Sequence, residues 1–275
     1  MGTVNAVIGI FIIALFVLTS CISTAGEGCK GRAPVQDQHT IIDSAGKTIF
    51  KRFDPPPGFM RTVIDTSSFG FYLRHLKLKT FGTKVRYYDG RSKNKSNVYI
   101  SVIDMDIGNR DLQQCADAIM RLRSEFLYDR QRYRDIHFNF VSDGQPRYYD
   151  VFNEGDHSYG KFRKYLDYVF SYANTRSLSQ ELIILGNIVE MQIGDVFIQT
   201  GNPYGHAVIV VDMAENLETG EKVYMLAQSY MPAQDIQVLV NRKDAGISPW
   251  YLLGEVQIET PEWTFNQDDL KRFVD

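Results

Sequence analysis

Cys115 and His206 are the residues of this 275-residue chain whose types and surroundings could support covalent catalysis. Cys115 lies near the start of a helical pattern, where unpaired backbone N–H groups and the helix dipole favour a thiolate. His206 follows the turn GNPYG and precedes the apolar run AVIVV. An imidazole within hydrogen-bond reach of a thiol can accept its proton, and the thiolate of the resulting ion pair attacks an amide or ester carbonyl. The pair therefore predicts acyl transfer through a cysteine nucleophile.

The helix that carries Cys115 is predicted over residues 111–126. Its apolar positions recur at steps of three and four, as on the buried face of an amphipathic helix: Leu112, Cys115, Ile119, Leu122 and Phe126. Asp111 is a candidate N-cap with Gln114 three residues later, which is the capping-box pattern. We therefore expect Cys115 in the first or second turn, with its sulfur on the core side. Packing alone is the alternative role, because free cysteine is among the most buried residue types.

Three strands are predicted around His206, separated by turns rich in glycine and polar residues: 194–198, 206–212 and 222–228. If Asp212 lies opposite Lys222, antiparallel pairing puts Gln228 beside His206. Gln228 would then be a neutral residue that orients the base. Asp212 is a poorer candidate for this role, because the intervening strand separates it from the histidine by about 20 Å.

The other segments predict the elements around this centre. A short helix is expected at 68–76 and an aromatic-rich helical region at 159–185, in which Ser177 indicates a second helix start. Two hairpins are expected, formed by the following pairs of strands: 84–88 with 97–103, and 136–141 with 147–152. Helices that precede a mostly antiparallel sheet indicate the α+β class.

The N-terminal residues predict export and a lipid anchor. An uninterrupted apolar run at residues 6–17 has the length of a signal-peptide core and is short for a bilayer span. The following sequence LTSC, which ends at Cys21, resembles the lipobox of bacterial lipoproteins, in which the cysteine is lipidated. No Lys or Arg precedes the run, so a plain signal peptide or a weak membrane anchor stays open. The predicted organisation is a signal peptide at 1–20, a flexible tether at 21–47 and one α+β domain at 48–275.

Composition and the remaining motifs narrow the functional classes. With 30 basic and 33 acidic residues and a net charge of -3, the chain does not predict nucleic-acid binding. Asp104 and Asp106 lack a third ligand nearby in sequence, so no metal is predicted, and no cofactor is predicted either. His157 is a rival base, although its position before a helix suggests a loop role. A disulfide between Cys29 and Cys115 is disfavoured by loop closure, so a free Cys115 thiol is expected.

The order of these parts resembles papain-like and NlpC-type cysteine peptidases over about residues 112–234. In that family a helix cysteine is the nucleophile, a histidine at a strand start is the base, and a polar residue on the next strand orients the histidine. The matching positions are Cys115, His206 and Gln228. The resemblance implies a papain-like or NlpC-type fold, with the cysteine helix packed on a mostly antiparallel sheet. Two features depart from it: the cysteine and histidine are more widely separated in sequence, and Gln-Gln-Cys-Ala replaces the usual Asp-Cys-Ser.

Over the whole mature chain, the sequence also resembles an uncharacterised family of exported bacterial proteins, domain of unknown function 4846. The segments that carry this resemblance are spread along the chain: 52–59 (RFDPPPGF), 68–69 (SF), 72–74 (YLR), 111–117 (DLQQCAD), 120–123 (MRLR), 205–208 (GHAV), 227–234 (AQSYMPAQ) and 260–263 (TPEW). This resemblance implies no chemistry by itself.

These observations predict a cell-envelope cysteine hydrolase, a peptidase or amidase that acts by acyl transfer with Cys115, His206 and Gln228. Acyl chains on Cys21 would hold the protein to the lipid bilayer, at the periplasmic or the outer-membrane face. Peptidoglycan stem peptides are then the nearest amide substrates. The alternative is a non-catalytic, lipid-anchored binding or structural module in which Cys115 and His206 are packed residues.

Overall fold

The structure, a computed structural model, describes residues 40–201 and 203–274. The predicted signal peptide, the predicted lipidation site Cys21 and the tether residue Cys29 lie outside these residues. Within the described part of the chain, no helix is both long enough and apolar enough to cross a membrane.

The described helices fall mostly in the first two thirds of the chain. They are α1 (Ile49–Arg52), α2 (Phe69–Arg74), α3 (Cys115–Asp129), α4 (Tyr149–Phe152), α5 (Tyr159–Tyr172) and α6 (Thr175–Glu181). Single 3-10 turns occupy Ser96–Val98, Tyr133–Asp135, Ile188–Glu190 and Gln267–Asp269. Polar side chains set the helix starts: the Ser158 hydroxyl accepts the Lys161 N–H at α5, and the Asn174 side chain caps α6.

The described strands are mostly short, and one of them is long. They are β1 (Met60–Arg61), β2 (Tyr99–Val102), β3 (His137–Asn139), β4 (Pro146–Tyr148), β5 (Ile183–Ile184), β6 (Val196–Gln199), β7 (His206–Glu215), β8 (Lys222–Gln228), β9 (Gln237–Leu239), β10 (Tyr251–Leu252), β11 (Gln257–Glu259), β12 (Thr264–Asn266) and β13 (Leu270–Arg272). Nine of them form one antiparallel sheet in the order β2-β9-β8-β7-β6-β13-β5, with β1 also paired to β7 and β10 to β8. The pairs β3–β4 and β11–β12 form separate hairpins.

Strand β7 is buried on both faces, and its alternating side chains enter two different apolar cores. Ala207 and Ile209 pack in the core that contains the buried residues of α3, α5 and α6. Val208 and Val210 pack in a second core, with Phe265 of the β11–β12 hairpin. The continuous apolar run of β7 therefore reflects a central strand that is covered on both sides.

The predicted papain-like or NlpC-type arrangement is wrong. The protein is instead a mixed helix-and-sheet structure with modest helical content, built on a large nine-stranded antiparallel sheet. The three strands predicted around His206 form only the middle of this sheet. The structure adds β9 and β2 beyond β8, and β13 and β5 beyond β6, so that strands from distant parts of the chain widen the sheet. Such long-range pairing leaves no periodic signal in the local sequence.

Several predicted elements are confirmed, with shifted ends. The three predicted strands around His206 correspond to β6, β7 and β8. The hairpin predicted from 136–141 and 147–152 is present as β3 and β4, but residues 149–152 form helix α4 instead of strand. The hairpin predicted between 84–88 and 97–103 is wrong, because β2 pairs with β9 instead. The second helix start in the region 159–185 is at Asn174, and Ser177 supports this cap from the third helical position.

Asp212 is the main buried charge on β7. Its side chain is fully buried, with Arg61 Nε at 2.8 Å and Arg74 Nε at 2.5 Å. Arg74 also donates to the carbonyl oxygens of Thr62 and Met213. This ion-pair network connects β7 to α2 and to the segment before it. Because the network is buried, the loss of one partner lowers the free energy of unfolding strongly.

We expect Asp212→Asn to lower the free energy of unfolding by about 3 to 5 kcal/mol, because two buried guanidinium groups lose their counter-charge. Urea denaturation followed by fluorescence measures the change. Asp135→Asn is the control, since its ion pair with Arg132 is about half exposed and its loss should cost less than about 1 kcal/mol. Equal effects of the two substitutions would contradict a central role for Asp212.

Candidate functional site

Cys115 is the first residue of α3. Gln114 precedes the helix as its N-cap residue, and the Gln114 N–H donates to Asp117 Oδ2 at 3.0 Å. The predicted cap Asp111 instead accepts the Ala233 N–H at 2.7 Å, which connects the approach to α3 with the segment after β8. Cys115 therefore lies where the backbone N–H groups have no acceptor within the helix.

The Cys115 thiol contacts the chain at the entrance to β7. Its Sγ lies 3.8 Å from Thr175 Oγ1 and 3.9 Å from the Gly205 carbonyl oxygen. A Cβ atom at position 205 would collide with the Gln199 carbonyl oxygen and would lie 2.9 Å from Thr175 Cγ2. Glycine at this position therefore permits the close approach of the start of α6 and the end of β6 to the entrance of β7.

The thiol is 8 % exposed and lines a groove of about 440 Å³. The groove lies between the start of α3, the start of α6 and the loop before β7. Burial raises the pKa of the Cys115 thiol, and the Asp117 carboxyl adds to this increase, while a hydrogen bond with Thr175 acts in the opposite direction. The protonated thiol is therefore the resting form at neutral pH.

The imidazole of His206 is 1 % exposed and is held by a chain of hydrogen bonds. Gln228 Nε2 donates to Glu262 Oε2 at 2.9 Å, and Lys93 Nζ lies 2.6 Å from the same oxygen. This contact fixes the amide orientation, so that Gln228 Oε1 accepts the His206 Nε2–H at 2.9 Å. His206 Nδ1 is then the unprotonated, basic nitrogen of a neutral imidazole.

Three aromatic rings enclose the imidazole of His206. The ring centroids of Tyr230, Trp263 and Phe265 lie 4.7, 5.4 and 5.9 Å from the imidazole centroid. Burial lowers the pKa of His206 to about 4, although the hydrogen bond with Gln228 acts in the opposite direction. The imidazole therefore stays neutral over the physiological pH range.

Cys115, on α3, and the ring of His206 lie on opposite sides of β7. Helix α3 packs in the core that includes Ala207 and Ile209, whereas the His206 ring packs with the core that includes Val208. Among the described residues, Sγ makes no hydrogen bond to the imidazole, and it contacts the carbonyl group just before His206 instead. The expected thiolate–imidazolium pair is not the resting state, because both pKa directions favour the neutral forms.

The predicted contact between His206 and Gln228 is present, although the register behind that prediction is wrong. Lys222 pairs with Glu215 rather than Asp212, and a bulge interrupts the β7–β8 pairing just before Asp212. Gln228 therefore reaches the histidine with its long side chain from a position that is not directly opposite.

The outer part of this site was not predicted from the sequence. Lys93, Glu262 and Trp263 are distant in sequence from the predicted catalytic residues, and Thr175, the first residue of α6, lies 60 residues after Cys115. The only signal was the segment TPEW at 260–263, which contributed to the family resemblance. Nothing in the sequence indicated that this segment contacts the histidine.

The rival sites are separate from this centre. The His157 ring stacks on Tyr133 with centroids 4.2 Å apart, and His157 Nδ1 lies 3.3 Å from Asn153 Nδ2. Asp104 and Asp106 do not join a larger ligand set. In the part of the chain that the structure describes, no group of three or more His, Cys, Asp or Glu side chains could hold a metal ion.

His206 should make stability depend on pH. Its folded-state pKa of about 4 is below the value of about 6.5 in an unfolded chain, so the unfolded chain binds a proton first as pH falls. The free energy of unfolding should decrease by up to about 3 kcal/mol between pH 6.5 and about pH 4 because of this residue. Urea denaturation across this range should show that His206→Gln removes the decrease, while His157→Gln, at an exposed histidine, retains it. An unchanged pH dependence in His206→Gln would contradict the assignment.

Comparison with known proteins assigns the family and no activity. No curated protein matches the chain, and no solved structure matches it. The family model described as Domain of unknown function (4846) matches residues 49–272, which include Cys115, His206, Gln228 and their hydrogen-bonding partners. Because this match spans most of the sequence, the chain belongs to the family Domain of unknown function (4846).

Proposed function

We propose that this protein is a cysteine hydrolase of the cell envelope, a peptidase or amidase that transfers an acyl group to Cys115 and then to water. The observation that carries the proposal is the hydrogen bond from His206 Nε2–H to Gln228 Oε1, which leaves Nδ1 as the basic nitrogen. The Cys115 sulfur lies against the carbonyl group that immediately precedes this histidine. A nucleophile, a base and a residue that orients the base are the parts that acyl transfer requires.

The pKa directions favour a general-base reaction over a preformed ion pair. The neutral Cys115 thiol attacks the carbonyl carbon while His206 Nδ1 accepts the thiol proton, and the resulting imidazolium then donates this proton to the leaving group. Water subsequently cleaves the thioester and restores the thiol. The Sγ–Nδ1 contact forms when substrate binds, because catalytic hydrogen bonds are often long in free enzymes and shorten in the substrate complex.

Backbone groups at the start of α3 are suited to stabilise the oxyanion of the tetrahedral intermediate. Cys115 occupies the first position of a 15-residue helix, where N–H groups lack helical acceptors and the helix dipole is positive. Donors of this kind are typically among the largest contributions to acyl-transfer catalysis.

The cellular location in the proposal comes from the N-terminal sequence. The apolar run at 6–17 and the LTSC sequence ending at Cys21 support export followed by lipidation. A protein anchored in this way meets peptides of the cell envelope, and peptidoglycan stem peptides are the substrates we favour.

One observation favours the alternative, a lipid-anchored module without catalysis. Cys115 is 8 % exposed and His206 is 1 % exposed, and buried residues of these types commonly have only packing roles. The two proposals differ in a measurable way, because a packed cysteine would not be acylated in the folded protein.

Incubation with the neutral ester 4-nitrophenyl acetate should acetylate Cys115 and release 4-nitrophenolate. The bond from sulfur to the acetyl carbon forms as the ester C–O bond breaks, and peptide-resolved mass spectrometry locates the adduct. Cys115→Ala should abolish the adduct. His206→Ala should slow acylation by about 100-fold or more, because the thiol then has no base.

His157→Ala is the matched control for acylation, since this histidine lies in a different part of the fold, and it should react at the wild-type rate. Near-ultraviolet circular dichroism checks that each variant is folded. If wild-type Cys115 remains unacylated until the protein is denatured, the non-catalytic module is the correct assignment.

Lipidation should depend on Cys21 alone. When the full-length chain is expressed in a bacterial host with an alkyne-labelled fatty acid, the protein should carry the label and partition into a detergent phase. Cys21→Ala should lose the label, because the acyl chains are attached to this side chain. Cys29→Ala is the control and should keep it, and labelling that survives Cys21→Ala would contradict the lipoprotein assignment.

A further inference from the structure

The groove that contains the Cys115 thiol has an unusual charge distribution. Among the described residues, its lining comes from the starts of α3 and α6, the loop before β7, Val141 and Met231. Arg176 is the only formally charged residue in this described lining at neutral pH. An anionic group that enters the groove therefore meets one positive charge and no negative charge from the lining.

The Arg176 side chain is exposed and available for a ligand. Within residues 40–201 and 203–274, its guanidinium makes no ion pair or hydrogen bond, and only its backbone N–H is engaged, with Asn174 Oδ1. A guanidinium with free donors binds a carboxylate in a bidentate arrangement and favours it over neutral groups.

A nearby basic groove provides a contrast. Lys93 and Lys95 line a second groove on the other side of Met231, but both face Glu262 at 2.6 and 3.9 Å. Arg91 in that groove is paired with Asp89. Each of these cations has a carboxylate within 4 Å, whereas the guanidinium of Arg176 has none among the described residues.

Two apolar side chains are also uncovered beside the thiol. Tyr204 is 62 % exposed and Val141 is 47 % exposed, and both line the groove of Cys115. Apolar walls combined with one well-positioned polar group are typical of a site that binds a small molecule or a short peptide.

We propose that Arg176 determines substrate specificity by binding a carboxylate, so that the acyl donors of Cys115 are peptides or amides that carry a free carboxylate close to the scissile bond. This inference rests on the proposed hydrolase function and names its substrate class. Arg176 itself takes no part in proton transfer or in the attack on the carbonyl group.

The test uses two alkylating labels that differ only in charge, bromoacetylglycine and bromoacetylglycinamide. Each label forms a bond from the Cys115 sulfur to carbon as bromide leaves, and mass spectrometry of the Cys115 peptide gives the rate constants for the full chain. We divide the rate constant with bromoacetylglycine by the rate constant with bromoacetylglycinamide, and then divide this quotient by the same quotient for urea-unfolded protein. The resulting normalised ratio should be about ten for the wild type. Sodium chloride at about 0.5 M should reduce this ratio, because the interaction is exposed.

Three variants isolate the role of the guanidinium. Arg176→Gln should bring the normalised ratio close to one, and Arg176→Glu should bring it below one, while the rate with the amide label stays within about twofold of wild type. Arg134→Gln is the matched control, because this exposed arginine lies outside the groove, and it should keep the wild-type ratio.

The outcomes separate this inference from the proposed function. A ratio near one in the wild type, or a ratio that Arg176→Gln does not change, would overturn the role of Arg176. Failure of both labels to react with the folded protein would also overturn the role of Arg176, because a molecule bound in the groove would then have no access to the Cys115 sulfur. The hydrolase assignment is judged independently by acylation with 4-nitrophenyl acetate, a neutral ester whose reaction does not involve Arg176.

Discussion

The structure depends on the burial of β7 on both faces, since this strand separates the two apolar cores and pairs with β6 and β8. Polar groups on such a strand have no access to water, so each one needs a partner from the protein. Asp212 is neutralised by Arg61 and Arg74, and these contacts hold α2 and β1 against the sheet. His206 instead remains neutral and donates its Nε2–H to Gln228 Oε1. The two buried polar residues of β7 thus meet the same constraint in different ways: Asp212 is paired with opposite charges, and His206 is kept neutral.

The neutrality of His206 is reinforced by its surroundings. Gln228 is an amide, so it can orient the ring without adding a negative charge beside it, and the charge of Glu262 at the other end of the amide is offset by Lys93. The Glu262 carboxylate raises the pKa of His206 and Lys93 lowers it, and burial outweighs both. A carboxylate in the position of Gln228 would instead favour the imidazolium. This environment keeps the imidazole neutral, which in the proposed mechanism is the form that accepts the thiol proton.

The sequence predicted the parts of this protein that have local signals. Helix α3 and strands β6 to β8 follow from residue spacing and turns, and they are observed, whereas the contact of His206 with Gln228 is present despite a wrong predicted register. The nine-stranded sheet could not be predicted in this way, because its outer strands contain two to four residues each and pair with distant segments. The outer site residues Lys93 and Glu262 were missed for the same reason, since only the tertiary fold brings them together. The ionisation of the site was also misjudged, because burial, which decides the pKa directions of Cys115 and His206, is not visible in a linear sequence.

Gly205 lies where the Cys115 thiol approaches β7, although the thiol and the His206 ring lie on opposite sides of this strand. Strand alternation directs the His206 ring away from α3, while the Cys115 thiol contacts the Gly205 carbonyl oxygen at the strand entrance. β7 begins at His206, and at this end neighbouring strands no longer enclose its backbone on both sides. A ligand in the groove of Cys115 would therefore lie at the strand end. Under the proposed mechanism, substrate binding has to bring the thiol and the imidazole into contact at this end, because in the middle of β7 a closed sheet would keep them on separate faces.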